Sequence, residues 1–442
     1  MICIYEGEGL ERLSPLCDLR PAFDLRCGRF TLLEKYQRLY PNEPFFLWVR
    51  DEVAGITAEA HPDCRVNASP KQGRLFLSAT AIFQKPVPAK GPESVLLAGD
   101  EVVGFRVGAT RAFDMNSVRG LLAKLAPSPF PPPQGGGKRK EGAERSLVHA
   151  RVGNLAEEEV KAKVVRWPWE LVELNAGELL RENEVRSEKL DAGSQKLGSG
   201  RRREGKIERG VVVAGERRKL HLEPGSRVWP AAVISTETGP VFIDRDAVVK
   251  PGSFVEGPCY IGTGTIIDGA KVRPGASFGP ECRIGGEVQA SIFQGYANKH
   301  HEGFIGHAFV GEWTNLGALT TNSDLKNAYQ PVQVTFAGRG SKGEGRGQTI
   351  DTGLLKVGCF IGDHAKTAIG TLINTGARIG TFANWFEPGL SPKEIPAFAW
   401  GGKARWPLGH VLSNARKVMA RRGVTMSEEY ERALRTLYSS GS

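Results

Sequence analysis

VFIDRD, AVVKPG, SFVEGP, CYIGTG, TIIDGA, KVRPGA, SFGPEC and RIGGEV are residues 241–288 written in sixes, and their reading decides the fold. The second place of each hexad runs Phe242, Val248, Phe254, Tyr260, Ile266, Val272, Phe278, Ile284, every one apolar. Four places after each of the first seven stands a small or turn-forming residue: Asp246, Gly252, Pro258, Gly264, Ala270, Ala276, Cys282. A helix repeats about every 3.6 residues and a plain strand about every 2, so a strict period of six fits neither alone. It fits a short strand plus a turn, stacked so that each apolar residue lands on its counterpart one coil away, the mark of a parallel β-solenoid. The second column is therefore expected to point inward.

Outward from that stretch, 442 residues are too many for one ordinary core. The 55 glycines suit a chain with a turn in every repeat. Seven cysteines are scattered without a CxxC pair, and the opening MICIYEGEG carries Glu6 where a cleavable leader is basic. Reduced thiols in the cytoplasm are expected. No apolar run approaches a membrane span. The net charge of +10 gathers at Lys138–Lys140, Arg201–Arg203, Arg217–Lys219 and Arg421–Arg422. The first two clusters lie in Gly- and Ser-rich sequence without interleaved aromatics, so solvated linkers are expected rather than a nucleic-acid platform.

Residues 1–192 read as an α/β domain. FFLWVR (45–50) and RLFLSATAIF (74–83) have strand character, FTLLEKYQRL (30–39) is helical, and a Pro- and Gly-rich insertion covers about 127–146. Pro168 opens a further helix with Leu171, Leu174 and Leu179 on one face. Residues 193–224 read as a linker and 225–395 as the solenoid, interrupted near 338–347. Residues 396–442 have helical spacing (Val411, Leu412, Ala415, Val418, Met419, then Tyr430, Leu434, Leu437), expected to cap the solenoid's open end.

Chemistry concentrates in residues 294–327, QGYANKHHEGFIGHAFVGEWTNLGALTTNSDLKN. Lys299, His300, His301, Glu302, Asn315, Asn322, Asp324 and Lys326 crowd into two coils, more polar groups than a scaffold needs. A second polar interruption, residues 362–380, carries Asp363, His364, Lys366 and Asn374.

HHEGFIGHAFVGEWTNLGALT resembles the acetyl-transfer segment of the bifunctional N-acetylglucosamine-1-phosphate uridyltransferase/glucosamine-1-phosphate acetyltransferase family. The chain resembles still more a divergent bacterial branch of sugar nucleotidyltransferases. The shared marks are LRPAFDLRCG (19–28), PWELVELN (168–175), GPVFID (239–244), GYANKHHEGFIGH and GDHAKTAIGT (362–371). The resemblance implies a left-handed parallel β-helix, although the usual crossover rule favours the right hand. It also implies a homotrimer with sites between subunits, and N-acylation of an amino-sugar phosphate in nucleotide-sugar and cell-envelope biosynthesis, with acetyl-CoA or another acyl-CoA as co-substrate. By position, His301 matches the catalytic base, a role an imidazole with a pKa near 6.5 suits at neutral pH. Asn315 matches a sugar-phosphate contact, and Asn322 and Lys326 lie where the segment nears substrate. Lys299 is a candidate phosphate partner and His364 a second substrate contact. Phe304 stands where the family has a substrate-binding Tyr. The acyl-CoA groove is expected near residues 362–380 with Lys403 and Arg405.

In the first domain Gly7, Gly9, Arg20, Arg26 and Lys35 are the candidates for a nucleotide's phosphates, with Mg²⁺ accompanying an active domain and Asn67 or Asp114 near it. The family's full Gly-rich loop is absent, and Arg20 and Arg26 read equally well as structural ion-pair residues. Two alternatives stand beside acyl transfer: a nucleotidyltransferase whose solenoid only trimerises it, and a non-catalytic sugar-nucleotide-binding protein. A zinc site from His301, His307 and His364 is disfavoured, because residues six apart leave one coil in different directions.

Overall fold

The computed structural model describes residues 1–68, 75–107, 156–191, 205–336 and 348–441. Asp114, the insertion at 127–146 and the clusters Lys138–Lys140 and Arg201–Arg203 lie outside the described residues.

From residue 206 onward three sheets wind together, of eleven, six and nine strands, all parallel except for the antiparallel last strand of the first, with successive strands of the chain falling on successive faces. The first face runs from Lys206–Ile207 to Ala404–Arg405, the second from Val212–Ala214 to Phe304–Gly306, the third from Leu220–Leu222 to Glu394–Ile395. The solenoid thus begins inside the stretch read as a linker. Polar outer faces hide its first coil from a composition reading.

The inward column is not the one the hexads display. On the third face Ile243, Ile261, Phe278, Phe293 and Val310 stack in register. On the other two, Val249, Ile267 and Ile284, and Val255, Val272 and Val288, do the same. All of these are fully buried. From Val272 on they coincide with the second column; before it they lie one residue later. The shift arises because one coil loses a residue between Ile267 and Val272, which slides the frame by one. Small residues two places earlier, Ala247, Cys259, Ala270, Ala276 and Cys282, fill the corners. Phe242 and Tyr260 consequently point outward, and they are buried for another reason: Leu179 of the helix Pro168–Asp191 packs on them. Arg29 lies over the Phe242 ring at 4.3 Å and Arg26 over Tyr260 at 5.4 Å.

The first domain is a seven-stranded mixed sheet. Leu75–Ser78 lies at its centre, and Ile2–Tyr5 beside it runs parallel to both Leu75–Ser78 and Phe45–Trp48. The helix Leu32–Leu39 starts at a capping box in which Thr31 accepts from the Glu34 N–H while Glu34 accepts from that of Thr31. One sheet face shares a core with solenoid residues Ile292, Phe309 and Phe360. An antiparallel hairpin, Gln333–Phe336 with Gln348–Asp351, brackets residues 337–347 and sets Phe336 against Trp167. The helices Leu408–Ala420 and Glu428–Ser439 bury Val411, Leu412, Ala415 and Leu434 with Phe382, Phe398 and Leu19. They join a solenoid corner to the first domain.

Candidate active site

The corner between the third and first faces takes a left-handed residue in coil after coil: Glu281, Tyr296, Trp313, His364, Phe382, Phe398. A side chain in that conformation costs roughly 1–2 kcal/mol. Here five rings stack along the corner: Tyr296 on Trp313 at 4.1 Å, Trp313 on His364 at 6.1 Å, His364 on Phe382 at 4.2 Å and Phe382 on Phe398 at 6.0 Å. Ring stacking and burial offset the backbone cost. His364 is therefore a rung of a buried ladder. Its Nε2 meets the Tyr430 hydroxyl at 3.0 Å, its Nδ1 has no hydrogen-bond partner among the described residues, and burial pushes the imidazole well below its ordinary pKa.

The same ladder carries the first domain's charges. Arg20 is buried and forks onto Asp363 at 2.5 Å and Glu312 at 3.3 Å, the residues just before His364 and Trp313. Burial raises the Asp363 carboxyl against the pull of Arg20. Lys35 sits between Glu178 (2.9 Å) and Glu182 (2.5 Å) of the long helix. The Arg26 N–H donates to Gln294 Oε1 at 3.1 Å, and Gln294 Nε2 donates to the Asp24 carbonyl at 2.7 Å. Asn175 ties three pieces together: it accepts from the Gly28 N–H at 2.6 Å and donates to the Gly275 carbonyl at 2.9 Å. Arg20 and Lys35 thus face acids, and the Arg26 guanidinium donates to the Arg29 carbonyl and lies over the Tyr260 ring, so the three cations expected at a phosphate each have partners of their own. Asn67 exchanges hydrogen bonds with the Val49 backbone at 2.9 and 3.0 Å, closing a turn.

The corner between the first and second faces differs. His301 is exposed on the turn between strands Asn298–Lys299 and Phe304–Gly306. Its ring lies 5.5 Å from that of His300 and 17° from parallel. His300 Nε2 reaches Asp268 at 2.9 Å, and Asp268 also takes the Lys250 ammonium at 2.8 Å. The hydrogen bond from Lys250, then that from His300, holds the Asp268 carboxyl below its usual range. Sequence reading passed over Lys250 and Asp268; their recurrence at one place in successive coils was the available signal. Asn315 stands on the first face one coil beyond, and its Oδ1 accepts from Asn298 Nδ2 at 2.7 Å. That leaves the Asn315 N–H groups to donate elsewhere.

Phe304 is half-buried on the second face. A Cβ added to Gly306 would lie 2.4 Å from Phe304 Cζ and 2.7 Å from Asp324 Oδ2, so ring tip and carboxylate share one spot. Asp324 holds His307 Nδ1 at 2.7 Å. A carboxylate only accepts, so Nδ1 carries the proton. Burial pushes the Asp324 carboxyl up, but the hydrogen bond and charge of His307 together with Lys356 hold it below its usual range.

Three neighbours in sequence stand elsewhere. Asn322 is 1% exposed and staples two coils, accepting from the Gly306 N–H at 2.7 Å and donating to the Gly306 carbonyl at 2.9 Å. Lys299 points into the solenoid, with its ammonium on the His301 carbonyl. Lys326 is half-buried and donates to the Pro331 carbonyl at 2.6 Å. Of the expected substrate contacts, only His301 and Asn315 present unengaged polar groups on the corner's open side.

Residues 2–189 match the family described as sugar nucleotidyl transferase. The bifunctional sugar-1-phosphate nucleotidylyltransferase/acetyltransferase of Sulfurisphaera tokodaii is 32% identical over 160 residues, 36% of this chain and 38% of that protein. The bifunctional protein GlmU of Acidovorax sp. (strain JS42) is 34% identical over 134 residues, 28% of this chain and 27% of its own length. That of Jannaschia sp. (strain CCS1) is 33% identical over 207 residues, 43% and 42% respectively. The matches span less than half the length of each of these proteins. A solved Arabidopsis UDP-N-acetylglucosamine acyltransferase aligns with 51% of this chain and 77% of that one, at 11% identity and a TM-score of 0.18.

Proposed function

We propose that this chain is an acyl-CoA-dependent N-acyltransferase acting on an amino-sugar phosphate in nucleotide-sugar biosynthesis, coupled to a nucleotidyltransferase-type first domain. The observation that carries the reading is His301, an exposed imidazole on a solenoid corner beside Asn315, on a chain resembling bifunctional acetyltransferases. The sugar amine attacks the thioester carbonyl; the N–C bond forms, the C–S bond breaks and the thiolate leaves. His301 takes the amine's proton, work that contributes about 10²–10⁴-fold in rate. Asn315 donates an amide N–H to the sugar phosphate. The co-substrate runs along the open edge at Ile369, which is 77% exposed, because the opposite corner of that segment lies beneath the C-terminal helices. A homotrimer in the cytoplasm belongs to the same proposal. Among the described residues no helix is long and apolar enough to cross a membrane.

Mg²⁺ would neutralise phosphate charge in an active first domain. Among the described residues no group of three or more His, Cys, Asp or Glu is placed to hold a metal ion, and Asn67 is committed to backbone.

Thiol release from acetyl-CoA with glucosamine 1-phosphate or other amino-sugar phosphates tests the proposal. Turnover that collapses in His301→Ala is expected. Absence of turnover with the whole panel overturns it in favour of the second reading, nucleotidyl transfer with the solenoid as scaffold, which the family match of the first domain favours.

A further inference from the structure

On the first face the inward column runs Val228, Val249, Ile267, Ile284 and then, in the aliphatic place, Lys299, with Leu316 following in the next coil. Lys299 is 1% exposed. Water is lost to its ammonium and no carboxylate replaces it within ion-pair distance among the described residues, so packing alone favours an apolar side chain here. Burial lowers the amine to about 8, although Glu302 nearby pushes it up. Its Nζ donates to the backbone carbonyl of His301. The corner around it is tight. A Cβ on Gly286 would meet Nζ at 2.9 Å and the Gly303 carbonyl at 2.6 Å, and Gly303 itself has φ 124°. The ammonium therefore fills the inside of the turn from whose outside the His301 imidazole projects.

We propose that Lys299 is a positioning residue, which anchors the His301 carbonyl from within the coil and so fixes the direction in which the imidazole leaves the turn. The inference rests on His301 as the base of acyl transfer. An anchor from solvent would be flexible; one rooted in the stacked core is as rigid as the solenoid. Misplacing a reacting group by about 1 Å costs up to about a hundredfold in rate.

The experiment compares Lys299→Met, Lys299→Gln and His301→Ala with the parent protein by thiol release from acetyl-CoA with glucosamine 1-phosphate. Melting temperature and hydrogen exchange of the peptide spanning 296–306 are read alongside. Lys299→Met removes the anchor but fits the apolar column. It is expected to melt no lower than the parent, to exchange faster around 300–303, and to lose about tenfold or more in kcat with KM within about twofold. Lys299→Gln, which keeps an N–H donor, recovers part of that loss. Full activity in Lys299→Met overturns the proposal, as does activity lost only in step with melting temperature. If His301→Ala also keeps full activity, the acyl-transfer reading itself has failed; if His301→Ala is inactive and Lys299→Met is not, only the role of Lys299 has.

Discussion

Two corners of one solenoid put the same residue type to opposite use. At the corner of Tyr296, Trp313 and His364 the left-handed positions carry rings, and two helices and the first domain close over them. At the corner of His301 the left-handed positions nearest it are Gly286, Gly303 and Leu319, with no ring to stack, and the turn stays open. A stack of rings excludes water and makes a histidine neutral and structural. A glycine turn leaves room above the surface for a substrate. The difference lies in what covers each corner, since the strands beneath are alike.

The comparison breaks most sharply if the histidines are exchanged in role. His301→Ala should lower acyl-transfer turnover about a hundredfold to ten-thousandfold with an unchanged melting curve. His364→Ala should leave per-molecule activity intact and cost about 3 kcal/mol, as a gap in a buried aromatic stack does. Chemical denaturation alongside kinetics checks both. Next in size, Arg20→Ala strands Asp363 and Glu312 at the covered corner and should cost about 3–5 kcal/mol. If it instead abolished only nucleotide binding, with stability unchanged, Arg20 would be a ligand residue. A smaller effect separates the two asparagines. Asn322→Ala leaves the Gly306 N–H and carbonyl unpaired in a buried place, for about 1–3 kcal/mol. Asn315→Ala should shift stability by no more than about 0.5 kcal/mol and act through KM.

The smallest test uses pH. His221 packs on Phe242 at 4.7 Å beside the long helix, and burial lowers it to about 4. The folded ring stays neutral while the unfolded one gains a proton below its ordinary 6.5. Its contribution is thus present above about 6.5 and lost as pH falls toward 4. Replacing it with Gln should flatten the stability profile over that window, measured by urea midpoints.

Much of the architecture was legible. The period of six announced stacked short strands, Pro168 opened the long helix, and Val411, Leu412, Ala415 and Leu434 marked the buried face of the last two. The inward column was misplaced by one residue over its first five members, because a single shortened coil shifts the frame and a repeat is counted from wherever the reader begins. The candidate site was legible as a neighbourhood. Within it, Lys299 and His301 looked alike as polar residues two apart, yet one faces the core and the other water.

By itself the sequence determined the solenoid, its extent to within one coil, and the segment where polar groups gather, because periodicity and composition are local properties of the chain. Tertiary structure alone decided which of those groups are free. The partners of Arg20 lie 343 residues away at Asp363, and those of Lys35 stand on a helix more than a hundred residues further on. Whether a charge meets a substrate or a counter-charge depends on what packs beside it, and that is settled only when distant segments meet.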